Sequence, residues 1–382
     1  TTGANNTAVG KDALFANTTA SDSIAIGAGA LCSQTTGDPN IAIGKNSMTC
    51  NVTGQYNTAV GYLALNKTTG DSNTAMGMNV MKQNTTGVHN VAMGYGALSA
   101  NTTGAENTAV GWGSQDGNTT AGSNSSFGNQ SLCLNSTGCC NTSIGFRSMC
   151  SNTTGDNNVA LGNNALSKNT TANANTAVGY YSLLSNTTAV DNTAVGKQAA
   201  CSTTTGDYTV AVGVGALQAQ TTGACNTGVG HGSLFNLSTG SNNVALGRAS
   251  GTDAVANVGS SSNYIVLGNN SHTNANIKID WTVTSDLRDK TEIEDVPHGL
   301  DFVNQITPIK YKFKKSRENA TPSGKARYGF KAQEILALEG DNPVLVNNDD
   351  EDNLKLTGAY LVPVLVKAIK ELKAEIDELK KG

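Results

Sequence analysis

The chain has 382 residues, of which 43 are glycine, only 14% are charged and 5% are aromatic, with a formal net charge of −4. So few core-forming side chains argue against two or three ordinary globular domains, and the mild negative charge offers nothing to nucleic acid or an anionic membrane. No apolar run approaches the roughly 20 residues that span a bilayer, and the start lacks the basic-then-apolar order of a leader.

The first feature met along the chain is a grid of fifteen glycines, from Gly10, Gly27 and Gly44 to Gly213, Gly230 and Gly247. Thirteen of the fourteen spacings are 17 residues and one, Gly61 to Gly77, is 16. Such a period means one unit stacked on itself, each copy burying its apolar face against the next. Residue 1 falls inside a copy, which leaves room for residues upstream.

Each copy reads N-[T/V/I]-A-[V/I/M/L]-G-x-x-[A/S]-L and then a polar stretch ending in T-T-G, as in Asn192-Thr193-Ala194-Val195-Gly196. The alternation before the glycine is a strand of period two, and T-T-G reads as a turn whose glycine takes positive φ. One β-solenoid coil per copy is therefore expected, with two large apolar side chains in each. That core is thin, so several identical chains are expected to associate. Asn stands four residues before the glycine in thirteen copies, replaced by Ser23 and Thr209 in the other two. In register these form an amide ladder rather than a glycan-binding row. The eight cysteines match no zinc or redox spacing and read as free thiols, with a cross-rung bond between Cys133 and Cys150 sterically open.

This repeat resembles the head repeats of trimeric autotransporter adhesins, over residues 5–250. The resemblance implies a parallel β-roll in a trimer, although the period of 17 differs from those heads.

After Gly247 the grid fails, and a degenerate copy, Tyr264-Ile265-Val266-Leu267-Gly268, arrives 21 residues on. Ile277 to Val283 reads as a connecting strand. Residues 285–382 then hold 34 of the 54 charged residues and no cysteine. The expected division is 1–250 shaft, 251–284 degenerate coil and connection, and 285–382 a small α+β domain. Within it an amphipathic stretch, Leu300 to Ile306, precedes a strand around Tyr311-Lys312-Phe313 and a short helix entered through Tyr328-Gly329-Phe330. The last segment carries Val362, Leu365, Ile369, Leu372, Ile376 and Leu379 at alternating steps of 3 and 4, the seam of a coiled coil. The fold class expected is mainly β: a trimeric solenoid of 17-residue coils, then an α+β domain ending in a long coiled-coil helix.

Ser285-Asp286-Leu287-Arg288-Asp289-Lys290, then Gly329-Phe330-Lys331-Ala332-Gln333-Glu334, then the heptad helix resemble the intramolecular chaperone domain that ends many bacteriophage tail spikes and fibres, of the endosialidase type. The resemblance implies a domain that trimerises, directs folding of the β-rich fibre and cuts itself off. By motif position it implies Ser285 as nucleophile, Lys290 as its base and Thr284-Ser285 as the broken bond. Asp286 and Arg288 would pair to hold the turn, and Gln333 would donate to the oxyanion. The same residues also read as an ordinary helix N-cap with an acidic first turn. The function expected is a homotrimeric tail-fibre or spike shaft, assembled in the host cytoplasm and carried on the virion, that meets a host surface receptor, glycan among the candidates. It needs no cofactor, metal, nucleic acid or membrane insertion.

Three other functions weigh less. A bacterial trimeric adhesin with an uncleaved trimerisation domain would want a membrane-anchoring barrel where this sequence has a charged helix. A glycan-degrading enzyme needs paired carboxyls, whereas the eleven acids of residues 1–284 are mostly turn formers such as Asp38 and Asp156. Ice binding would need a flat threonine array, and adjacent threonines in a strand face opposite ways. The four histidines are too scattered for a metal site, and Asp349-Asp350-Glu351-Asp352 reads as a solvated hairpin tip.

Overall fold

A computed structural model describes residues 2–253, 256–272, 278, 285–314, 317, 319–341, 343–348, 351–352 and 354–381. The chain forms two compact units, Thr1–Ser271 and His272–Gly382. The expected strand at 277–283 lies outside the described residues except for Lys278, as do Thr284 and the first two residues of the acidic run.

The first unit is a β-solenoid. Fifteen three-residue strands, β1 (Thr7–Val9) to β15 (Val244–Leu246), stack in chain order in one parallel sheet, and the degenerate copy adds β18 (Ile265–Leu267) as its sixteenth strand. The four extra residues before β18 are taken up around a short hairpin of β16 (Thr252–Asp253) and β17 (Ala256–Asn257). Register is kept even across the 16-residue coil, where Thr58, Ala59 and Val60 face Thr74, Ala75 and Met76. The missing residue comes out of the T-T-G segment, away from the sheet.

Glycine is required at the grid because the chain there has φ near +130° and lies against the next coil. At Gly145, with φ +134°, a Cβ would stand 2.5 Å from the carbonyl oxygen of Gly162. The left-handed turns, however, are not at T-T-G. They fall two and four residues after the grid glycine and five before it, for example Asn46, Met48 and Tyr56. The T-T-G slot takes only Gly or Ala because of crowding, a Cβ at Gly37 lying 2.8 Å from the Thr53 carbonyl carbon. The first threonine spends its hydroxyl on a carbonyl one coil on, as Thr85 does to Thr102 at 2.9 Å.

The interior also differs from expectation. Of the two large apolar slots per coil, only the one four after the glycine is inside, where Leu31, Met48, Leu65 and Met81 are fully buried. Those leucines and methionines sit at φ near +50°, a conformation that costs about 1–2 kcal/mol, against about 1.5–3 kcal/mol from burying the side chain. The other slot, just before the glycine, points outward and leaves Ile26, Met76, Phe127 and Leu161 more than a third exposed. Period-two alternation assigned the two sides but not which one was inside. Alanine fills the inner side, with Ala25, Ala42 and Ala59 at 0% exposure.

Two polar ladders complete the interior. In the expected one, the Asn57 N–H donates to Asn40 Oδ1 at 2.9 Å and the Asn57 amide to the Gly70 carbonyl at 2.9 Å. The second, seven residues after the glycine, went unread in the sequence. Asn101, Asn118, Asn135, Asn152, Asn169 and Asn186 each donate Nδ2 to the preceding Asn Oδ1, at 2.7–3.3 Å. Where Ser23 and Thr209 shorten the first ladder, Gln34 and Gln220 lengthen the second in the same coil, their Nε2 reaching the two hydroxyls at 2.9 and 2.8 Å.

The second unit has a conventional small core of Phe302, Ile335, Leu345, Val346, Leu361 and Val364. It is built from α1 (Leu300–Gln305), the antiparallel pair β19 (Ile309–Lys314) and β20 (Pro322–Gly329), α2 (Ala332–Glu339), the short pair β21 (Val346–Asn347) and β22 (Lys355–Leu356), and α3 (Leu361–Leu379). The α1 N-cap, Gly299, offers no side-chain acceptor, and α3 supplies one: Glu371 Oε2 accepts from the Leu300 N–H at 2.6 Å. On the same helix Lys367 donates to the Val296 carbonyl at 2.6 Å. Helix α3 thus has two apolar faces. Leu361, Val364 and Ala368 are buried in the unit, whereas the seam from Val362 to Leu379 is 41–81% exposed. No helix of the described residues is long and apolar enough to cross a membrane.

Candidate active site at the head of the C-terminal unit

The first described residue of the acidic and basic segment is Ser285, and the chain turns at once. Asp286 caps a single 3₁₀ turn, Leu287–Asp289, its carboxylate accepting from the Arg288 N–H at 2.9 Å. The same carboxylate takes the Arg288 guanidinium in two-pronged fashion, Nε at 3.1 Å and Nη2 at 2.6 Å. The Arg288 guanidinium, then its backbone N–H, hold the Asp286 carboxyl below the usual carboxylate range.

The capped turn reverses the chain, and its consequence lies at the turn's two ends. Lys290 Nζ stands 2.8 Å from Ser285 Oγ and donates to it. The N-cap and the Ser285–Lys290 contact therefore belong to one turn, since the cap closes the five-residue span. Ser285 and Lys290 are both exposed in the single chain, and so are two apolar neighbours, Leu287 at 69% and Ile293 at 67%. Those two were not singled out in the sequence.

Gln333 lies in the first turn of α2, and among the described residues its exposed side chain makes no hydrogen bond to Ser285 or Lys290. The structure thus brings together Ser285, Asp286, Arg288 and Lys290 and leaves Gln333 out of their hydrogen-bond network. Among the described residues no group of three His, Cys, Asp or Glu side chains is placed to hold a metal ion.

Chemically, a serine hydroxyl in hydrogen-bond contact with a lysine is the ground arrangement of a Ser-Lys nucleophile pair. Proton abstraction from the serine requires the neutral amine. Desolvation is what favours that form, because burial penalises an ammonium.

No curated protein and no solved structure matches the chain. A family model does: residues 285–344 match the one described as the chaperone of endosialidase. The match opens on Ser285, the residue that begins the capped turn, and from that residue to 344 the chain is similar to the endosialidase chaperone family.

Proposed function

We propose that this chain is the shaft of a homotrimeric tail fibre or spike of the bacteriophage type, carried on the virion, which meets a host surface receptor. The segment from residue 285 brings three copies together, directs their folding and then cuts itself off at Thr284-Ser285. The observation that carries the cleavage is the 2.8 Å contact between Lys290 and Ser285 on a turn locked by Asp286 and Arg288, at the head of the family match.

In this reading the exposed seam of α3 is the contact between copies, and assembly covers Leu287 and Ile293. Water then leaves the turn and Lys290 becomes a base. It takes the Ser285 hydroxyl proton as Oγ attacks the Thr284 carbonyl carbon. The C–N bond breaks, the proton passes to the departing Ser285 amine, and an ester links Thr284 to Oγ. Water hydrolyses that ester, leaving a free Thr284 carboxylate and a restored Ser285 hydroxyl. Because the turn is open to water in the single chain, cleavage waits for assembly. In the shaft, the outward apolar row before each grid glycine gives the copies a continuous face to share.

The test is a denaturing gel paired with native mass. Wild type is expected to give a 284-residue shaft and a 98-residue domain, with three shafts per native particle. Ser285→Ala is expected to give one uncut band and an intact trimer. The same band pattern from both proteins would remove the cleavage, and a monomeric native mass would remove the trimer.

A further inference from the structure

The residue just before the grid glycine, or its counterpart Gly268, is apolar in all sixteen sheet strands, from Val9 to Leu267. An interface running the length of the shaft needs that uniformity. The row just after the glycine has none of it, reading Lys45, Tyr62, Met78, Tyr95, Trp112 and Asn129 over six successive coils. Its aromatics, Tyr62, Tyr95, Trp112, Phe146 and Tyr180, fall in adjacent coils only at Tyr95 and Trp112. Tyr95 and Trp112, in adjacent coils, lie nearly parallel, 12° apart with centroids at 6.4 Å, and are 47% and 49% exposed.

Beside these rings the shaft is hollowed. The next slot is Gly96 and Gly113 in these two coils, where the flanking coils carry Asn79 and Gln130. Gly96 and Gly113 take φ +66° and +59°, a left-handed conformation that Asn79 and Gln130 also adopt in this slot, and a Cβ at Gly96 would meet nothing within 4 Å and one at Gly113 only Gln130 Cγ at 3.9 Å. Their missing side chains leave a groove of about 550 Å³, within the roughly 300–1,000 Å³ of small-ligand sites. Lys82, Ser99 and Asp116 also line it, the Ser99 hydroxyl donating to the Asp116 carboxylate. One cation and one anion cancel.

We infer that this groove binds a neutral pyranose glycan, which rests on the receptor-meeting role proposed above and names the ligand. A pyranose ring presents a C–H face to an aromatic ring and hydroxyls at its rim. Two aromatic rings, amides at Asn79 and Gln130 and the Ser99–Asp116 pair supply both kinds of partner. The balanced charge disfavours acidic sugars. A peptide strand has no place to add, because the coils on either side already pair this part of the sheet.

The experiment uses the full trimer on a printed array of neutral and acidic bacterial surface oligosaccharides, followed by titration with the bound sugars. Trp112 is one of two tryptophans, so its fluorescence in a Trp281→Phe background reads the groove directly. Trp112→Asn and Tyr95→Asn install the residue that Asn129 already places in this slot, one coil on from Trp112 and two from Tyr95, and the coil is expected to fold. Neutral sugars are expected to bind and to shift Trp112 emission, and each variant is expected to weaken binding about tenfold or more. Binding of no neutral sugar, equal binding by Trp112→Asn, or a changed oligomeric mass in that variant would overturn the inference. Adsorption to host cells separates the two levels. Wild type that adsorbs as well as Trp112→Asn keeps the receptor role and loses the groove, whereas wild type that adsorbs to no cell loses the receptor role.

Discussion

The two units solve the same problem, burying enough surface to hold a chain, by opposite means. The solenoid interior is mostly alanine, a leucine or methionine in most coils and two files of amides, so most buried groups meet their copy one coil away. The C-terminal unit uses large apolar side chains drawn from distant points, such as Phe302 with Ile335 and Leu361, and each contact is made once. Repetition is cheap to encode but says little about register, since every coil fits every other. Unique contacts specify one arrangement, which supports the proposal that the unit with them aligns the copies before a shaft stacks.

The sharpest way to break this comparison is to put the same methyl group into both units. Gly145→Ala adds a Cβ 2.5 Å from the next coil's backbone at φ +134°. It is expected to cost more than about 4 kcal/mol, the range of exceptional single mutations, and to interrupt stacking. Gly340→Ala, at φ +73° with open space around the Cβ, is expected to cost about 1 kcal/mol. Denaturant unfolding of each variant reads the difference, and equal losses would mean that the shaft tolerates a break in its template.

The amide ladders give a smaller contrast with a sign change. Asn152 donates to Asn135 Oδ1 and to the Gly155 carbonyl, and accepts from Asn169, at 2.8, 3.0 and 2.8 Å. Asn152→Ala is expected to cost about 1–3 kcal/mol for each buried group left unpaired. The ladder ends naturally at Thr203, where both the Thr203 hydroxyl and Asn186 Oδ1 are buried without a partner. Thr203→Asn is expected to extend it and to gain about 1 kcal/mol. Thermal melting of both variants tests the pair of signs, and a loss from Thr203→Asn would mean that the ladder is passenger rather than support.

Much of this was legible in advance because a period turns composition into slots. Gly61 and its equivalents, the strand at Thr58–Val60 and the file of Asn57, Asn73 and Asn90 all came from position within the repeat. Alternation could not say whether Ala59 or Val60 faced inward, since parity has no sign. The second Asn file was hidden because Asn101-Thr102-Thr103-Gly104 looks like turn chemistry, and only three-dimensional stacking shows Asn101 sealed inside. At the candidate site the pairing of Ser285 with Lys290 came from the motif resemblance, since five residues of spacing bring the two together only in a bent chain, and the Asp286 cap supplies the bend. Gln333 was carried over by motif position alone, and neighbouring motifs in sequence need not touch in space.

The smallest expected effect is confined by composition to the shaft, because residues 285–382 hold no cysteine. Cys133 and Cys150 fill one slot in adjacent coils with their Sγ atoms 3.0 Å apart. The Cys133 thiol, hydrogen-bonded to Cys150, and then Arg147 lower the Cys150 pKa to about 6. The same contact, with burial, raises Cys133 well above the ordinary value of 9.0. Between about 6 and 9 the folded pair therefore holds one proton where the unfolded chain holds two, so this contribution to stability rises with pH. Above that range the unfolded chain loses both protons while the folded pair keeps one, and the contribution falls. Under reducing conditions the melting midpoint of the wild-type shaft is expected to climb between neutral pH and 9 more steeply than that of Cys150→Ser. Superimposable pH curves would mean that the two thiols titrate independently, leaving the rungs of the shaft coupled through backbone and amides alone.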